Sequence, residues 1–281
     1  MEQGIETMTY QSTHLAKAAA TYNAAADHFD HAPLSFWDRY GRRTVERLSL
    51  APGAAVLDVG CGSGASALPA AEQVGPTGSV TGVDVAGELL AAARTKAANR
   101  GLSNIEFREG DMANLDYPNG QFDAVVCVFA IFFIPDMEQQ VAELWRMVRP
   151  GGVLAITTWG PRMLEPGSSA FWNAVTAERP DLHATFNPWD RISDPRSLGR
   201  LFYDAGIAGA VAVPETGCQR LTTPEDWWTI VLGAGFRWTV DQLNPDAAER
   251  VRAANIARLR RDGVRTVETN VIYAAATKPK D

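Results

Sequence analysis

Between Ala55 and Thr158 five apolar runs of strand length recur: Ala55 to Val59, Ser79 to Val83, Ile105 to Glu109, Phe122 to Phe129 and Val153 to Thr158. Helix-length segments or shorter connections separate them. Parallel strands need long crossovers, so this rhythm predicts a parallel sheet clothed in helices. The fourth run sharpens the reading, because Val125, Val126, Val128 and Phe129 show no polar alternation, as expected of a strand covered on both faces. Helix punctuation agrees: Gly101 closes the segment from Glu88 to Arg100, and Pro150, Gly151 and Gly152 turn the chain after Met137 to Val148. Residues 7 to 50 read as helices rich in alanine, aromatics and histidine. After Thr158 a Pro- and Trp-bearing stretch reaches Asp194. A helix near Leu198 to Asp204, a strand near Val211 to Pro214, a helical insertion and a closing strand from Val267 to Ala275 follow.

Composition excludes several classes. With 46% hydrophobic and 21% charged residues over 281 positions, the chain has an ordinary globular balance and enough apolar mass for a sizeable core. Its longest wholly apolar run, Ala124 to Ile134, is eleven residues, against ~20 for a bilayer span. No membrane helix is expected. Glu2 and Glu6 precede any apolar stretch, unlike the basic start of an export signal, which points to the cytoplasm. Cys61, Cys127 and Cys218 are scattered and odd in number, against a disulfide framework or a paired-thiolate zinc site. A formal net charge of -7 repels polyanions, so nucleic acid is not an expected partner. The sequence leaves the oligomeric state open. Its 22 arginines against 4 lysines, with abundant alanine, suggest a GC-rich bacterial genome and hence specialised metabolism.

The most informative stretch runs from Val56 through Asp58, Val59, Gly60, Cys61, Gly62 and Ser63 to Gly64, a buried strand entering a glycine loop ahead of a helix. Glycines let the backbone turn tightly and approach a ligand, with free N–H groups at the helix start facing it. Dinucleotide-binding loops differ in spacing, since only one residue separates Gly62 from Gly64. Twenty residues on, Asp84 ends the second strand, where a carboxylate can accept from both hydroxyls of an adenosine ribose. Asp111 and Met112 follow the third strand, and a carboxylate with a thioether suits an adenine amino group and ring.

On these residues the chain resembles the class I S-adenosylmethionine-dependent methyltransferases, in the small-molecule branch that includes ubiquinone/menaquinone C-methyltransferase-like proteins. The likeness covers residues 55 to 160. It extends to Phe122 and Asp123, to Phe133 through Asp136, and to Arg149 through Gly152. It implies S-adenosylmethionine as cofactor, with S-adenosylhomocysteine as product, Val85 packed on adenine, and Val128 and Phe129 beside the methionine portion. It also implies an N-terminal helix around Ala26 to Asp30 closing over the cofactor, with Phe29 where the family often has tyrosine. The expected fold class is α/β, a Rossmann-like doubly wound sheet, mostly parallel with an antiparallel closing strand, plus a helical cap. Residues 1–50 would form the N-terminal helical cap segment, 51–160 the cofactor-binding core, and 161–281 the rest of the sheet with substrate-cap insertions, one domain overall.

The candidate catalytic residues are His28 and His31, a helical turn apart beside Asp27 and Asp30. Solvated helix polarity competes with that role, and no third metal ligand is evident, so no metal is expected. Trp37, Phe133, Trp189 and Trp227 are candidates for the wall of a hydrophobic or aromatic acceptor site. The arginines from 250 to 265 follow a helix start at Asn244, Pro245 and Asp246, and a solvated helix end accounts for them. Among rivals, a short-chain dehydrogenase lacks its Tyr-x-x-x-Lys pair and a phosphate-loop enzyme lacks its Gly-Lys. Ile131 through Pro135 stands where DNA adenine methylation would place Asn-Pro-Pro-aromatic. The expected function is methyl transfer to an O, C or N nucleophile of a small metabolite. The alternatives are a non-catalytic S-adenosylmethionine-binding partner subunit and an NAD(P)-dependent oxidoreductase.

Overall fold

The computed structural model describes residues 2–183 and 187–280. Nine strands form: β1 Ala55–Val59, β2 Ser79–Asp84, β3 Ile105–Glu109, β4 Phe122–Val128, β5 Val148–Trp159, β6 Val211–Glu215, β7 Cys218–Arg220, β8 Thr266–Glu268 and β9 Val271–Thr277. The helices are α1 Glu2–Phe29, α2 Phe36–Leu48, α3 Ala67–Val74, α4 Gly87–Asn99, α5 Met137–Met147, α6 Gly167–Glu178, α7 Pro195–Asp204, α8 Glu225–Leu232, α9 Arg237–Val240 and α10 Pro245–Arg261.

Seven strands make one sheet in the order β3-β2-β1-β4-β5-β9-β6, in which only β9 runs antiparallel to its neighbours. Val56 to Val59 and Ala124 to Val128 are buried residue after residue, the signature of a sheet covered on both faces. Strand order reverses between β1 and β4. A crevice opens outside the carboxyl ends of strands at such a switch point.

The first four strand predictions fall within one residue of the observed bounds at each end. β5 starts five residues earlier than predicted, because Val148 pairs with Phe122 beyond an irregularity at Phe122/Ala124. The predicted closing strand is broken in two. Tyr40 Oη donates to the Thr269 carbonyl at 2.6 Å, and the Gly217 N–H donates to Asn270 Oδ1 at 3.1 Å, pinning a kink between β8 and β9. β8 then pairs with β7 in a separate two-stranded ribbon.

A helical cap covers the crevice. α1 packs on α4, α8 and α9, and α10 packs on α6 and α8. Two polar ties hold α1 down: Asn23 Oδ1 accepts from the Glu88 N–H at 3.0 Å, and Asp30 Oδ1 accepts from Ser63 Oγ at 2.7 Å and Lys96 Nζ at 2.9 Å. Among the described residues no helix is long and apolar enough to cross a membrane.

Candidate functional site

The glycine loop begins where β1 ends. Gly60, Gly62 and Gly64 all have positive φ (71°, 52° and 90°), a region that L side chains seldom enter. Gly60 is the strictest of the three, since a β-carbon there would overlap Ala130. At Gly62 an added Cβ would stand 3.7 Å from the Phe29 ring, and at Gly64 it would press on Leu68 at 3.0 Å. Gly62 thus borders open space, while Gly60 lets Ala130 approach the loop and Gly64 allows α3 to pack.

That space is a cavity lined by Tyr22 and Phe29 of α1, Trp37 of α2, the loop at Gly60 to Gly62, Asp84 and Val85 after β2, Met112, and Val128, Phe129 and Phe133. It holds about 810 Å³ of empty space with its open mouth included. Its form is a slot between α1 and the sheet edge. Phe129 has φ 53°, strain for a bulky residue that the surrounding packing must hold. Its ring stacks on Trp159 at 4.4 Å and meets Trp37 edge-on at 5.4 Å.

Among the described residues, Asp84 is the only charged side chain in this lining. Its Oδ2 accepts from the Gly62 N–H at 2.8 Å and its Oδ1 from the Ala86 N–H at 2.9 Å. Burial pushes its pKa above the usual carboxylate range, opposed by those backbone hydrogen bonds. Its two oxygens offer about four acceptor sites, more than these hydrogen bonds use. Asp58 lies below the loop, where its Oδ2 accepts from Ser66 Oγ at 2.7 Å and its Oδ1 has no partner. Burial without a counter-charge raises its pKa to about 7.

Of the residues singled out from sequence, Trp37, Gly60, Gly62, Asp84, Val85, Met112, Val128, Phe129 and Phe133 meet in this lining. Others stand apart. Ser63 turns its hydroxyl to Asp30, and Asp111 caps its own turn by accepting from the Ala113 N–H at 2.8 Å and Asn114 Nδ2 at 2.8 Å. His28 holds Asp27 at 2.6 Å, and its ring lies 5.3 Å from that of His31, outside the lining. Trp227 is fully buried with its indole N–H on Asn255 Oδ1 at 2.9 Å, and Trp189 packs on Phe132. Sequence reasoning missed Tyr22, which meets Phe133 edge-on at 5.6 Å. Its helical spacing of seven residues from Phe29 was the available signal. Among the described residues no group of three or more His, Cys, Asp or Glu could hold a metal ion.

A family model described as "Methyltransferase domain" matches residues 56–152. An aklanonic acid methyltransferase of Streptomyces is 33% identical over 147 residues, covering 52% of this chain and 67% of that protein. The chain belongs to the S-adenosylmethionine-dependent methyltransferases. A nocamycin O-methyltransferase of Saccharothrix syringae is 36% identical over 151 residues, covering 54% of this chain and 52% of that protein. The match to these curated relatives thus spans between about half and two thirds of their length. In fold, the YcgJ protein of Bacillus subtilis superposes with a TM-score of 0.57 at 16% identity, over 86% of this chain and all of that one. Family membership removes the NAD(P)-dependent oxidoreductase alternative.

The slot fits the family's cofactor. Gly62, without a side chain, leaves the loop open to the slot, Asp84 presents carboxylate oxygens at the end of β2, and among the described residues the lining carries a negative charge and no positive one to oppose a sulfonium.

Proposed function

We propose that this methyltransferase acts on an O, C or N nucleophile of a small hydrophobic or aromatic metabolite. One observation carries the reading: the slot that holds Asp84 is lined for the rest mainly by apolar and aromatic side chains, Val128, Phe129, Tyr22 and Phe133 among them. A nucleoside at the acid end therefore shares a dry chamber with an apolar acceptor. Net negative charge argues against a nucleic-acid acceptor.

Asp84 would hold the ribose, Val85, Leu89 and Met112 the adenine. When bound, S-adenosylmethionine supplies a methyl group on a positively charged sulfur. The protein's task is then alignment of the acceptor and exclusion of water, work suited to an aromatic wall. Tyr22 is no base, because burial and the Asp84 charge push its pKa up and keep the hydroxyl protonated. His28 and His31, outside the lining, serve better as helix-end polarity than as bases.

The test is methyl transfer from labelled S-adenosylmethionine to a panel of phenols, carboxylic acids, enolisable ketones and aromatic amines. Turnover of at least one supports the reading. Cofactor binding without turnover across the panel would favour a non-catalytic partner subunit instead. With an acceptor in hand, Phe133→Ala should raise its KM about tenfold, the order of an aromatic contact worth ~1–1.5 kcal/mol, while S-adenosylhomocysteine affinity stays put.

A further inference from the structure

The glycine loop has already used its donors. The N–H groups of Gly60 and Cys61 both reach the Val83 carbonyl, at 2.8 and 3.1 Å, that of Gly62 reaches Asp84 and that of Gly64 the Cys61 carbonyl at 2.9 Å. The expected row of free N–H groups facing a ligand is therefore largely spent inside the loop. Among the described residues no lysine or arginine lines the slot. Yet the cofactor of this family ends in an amino acid, whose carboxylate must leave water to enter, and a buried anion without donors is costly.

Trp37 stands where such a donor is needed. Its ring is stacked on Phe29 at 5.3 Å with an interplanar angle of 4°, and meets Phe129 and Trp159 edge-on. The residue is 9% exposed and lines the slot. Its Nε1–H has no hydrogen-bond partner, whereas Trp227 Nε1–H, also buried, donates to Asn255 Oδ1. Among the described residues, the other buried side-chain polar atoms without a partner are Asp58 Oδ1, Thr158 Oγ1 and Tyr273 Oη, none of which lines the slot. Asp58 Oδ1 is moreover an acceptor that would repel an anion. A buried indole N–H is normally paired, and phenylalanine would pack in the same aromatic stack without that need. Position selects the partner: Phe29 overlies Gly62 and Phe129 ends the β4 side, so Trp37 sits at the β1/β4 end of the slot, across from Val85 and Met112 at the β2/β3 end.

We infer that the Trp37 indole N–H donates to the carboxylate of the cofactor's amino-acid arm, fixing that arm while Asp84 fixes the ribose. This rests on reading the slot as the S-adenosylmethionine site. It makes Trp37, grouped above with the acceptor wall, a positioning residue for the donor.

The experiment titrates wild type and Trp37→Phe by calorimetry with two ligands. One is S-adenosylhomocysteine; the other is 5′-(3-aminopropylthio)-5′-deoxyadenosine, which keeps the ammonium and lacks the carboxylate. Trp37→Phe should lose about tenfold in affinity for the first and less than twofold for the second. Equal losses would make Trp37 a packing residue only, and an undiminished affinity for S-adenosylhomocysteine would refute the hydrogen bond. Should the variant not fold, wild type with 15N-labelled indoles decides: one of its eight tryptophan resonances should move downfield with S-adenosylhomocysteine and not with the amine, and none doing so overturns the inference. A wild type that binds neither ligand fails earlier, at the reading of the slot itself, and takes this inference with it.

Discussion

Asp84→Ala is expected to weaken S-adenosylhomocysteine binding about a hundredfold or more, with far-UV circular dichroism preserved. Among the described residues the carboxylate is the one charge on the slot wall, and it sits at the end of β2. Hydrogen bonds to a charged acceptor contribute ~1.5–3 kcal/mol each, and two ribose hydroxyls can donate, so the loss is ~3 kcal/mol at least. A second effect adds to it, because the Gly62 and Ala86 N–H groups lose their acceptor and the loop loosens. Asp84→Asn keeps an acceptor oxygen and the side-chain shape, and should fall between wild type and alanine. Calorimetry on both variants checks the order. Affinity within threefold of wild type in a folded Asp84→Ala protein would remove the ribose assignment.

The parallel half of the fold was readable because its signals are local and repeated. β1 and β4 are largely apolar runs of five and seven residues, and β2 and β3 are strand-length segments that mix apolar and polar residues. β7 and β8 were not readable, being three residues each and paired across 46 to 50 positions of sequence, from Arg220 with Thr266 to Cys218 with Glu268. A strand that short carries no periodicity. In the site, Asp84 was legible because strand end, loop and spacing all converge on it. His28 and His31 show the limit of spacing. It placed the two rings within 5.3 Å of each other and said nothing about which side of α1 faces the slot. The loop donors were misjudged for a related reason. Their partners, the Val83 carbonyl and the Asp84 carboxylate, belong to the neighbouring strand, so the loop sequence alone could not reveal that they were taken. Trp227 and Trp37 look alike in sequence. What separates them is Asn255, present beside one indole and absent beside the other.

Asp58 leads to an expectation about the ligand-free protein: its thermal midpoint should fall as pH rises from about 4 to about 7, and Asp58→Asn should remove much of that fall. Burial raises the folded-state pKa to about 7, well above that of an aspartate in water. The folded state thus binds the proton more tightly than the unfolded chain. The resulting stabilisation is complete below the unfolded pKa and is lost as pH climbs through the folded one. A shift of this size corresponds to roughly 2–4 kcal/mol, or about 4–10 °C in a chain of this length. Asp84 shifts in the same direction, so wild type alone does not isolate Asp58. The difference between wild type and Asp58→Asn at each pH does, because asparagine keeps an oxygen for Ser66 Oγ and cannot ionise. A difference that stays constant from pH 4 to pH 8 would mean that Asp58 is ionised throughout and that its unpartnered oxygen is solvated. A difference that grows with pH would identify a buried carboxylate that costs the empty protein stability. Such a charge is retained where a ligand brings the opposite one, and S-adenosylmethionine, a cation at its sulfur, should then flatten the wild-type pH profile more than neutral-sulfur S-adenosylhomocysteine does.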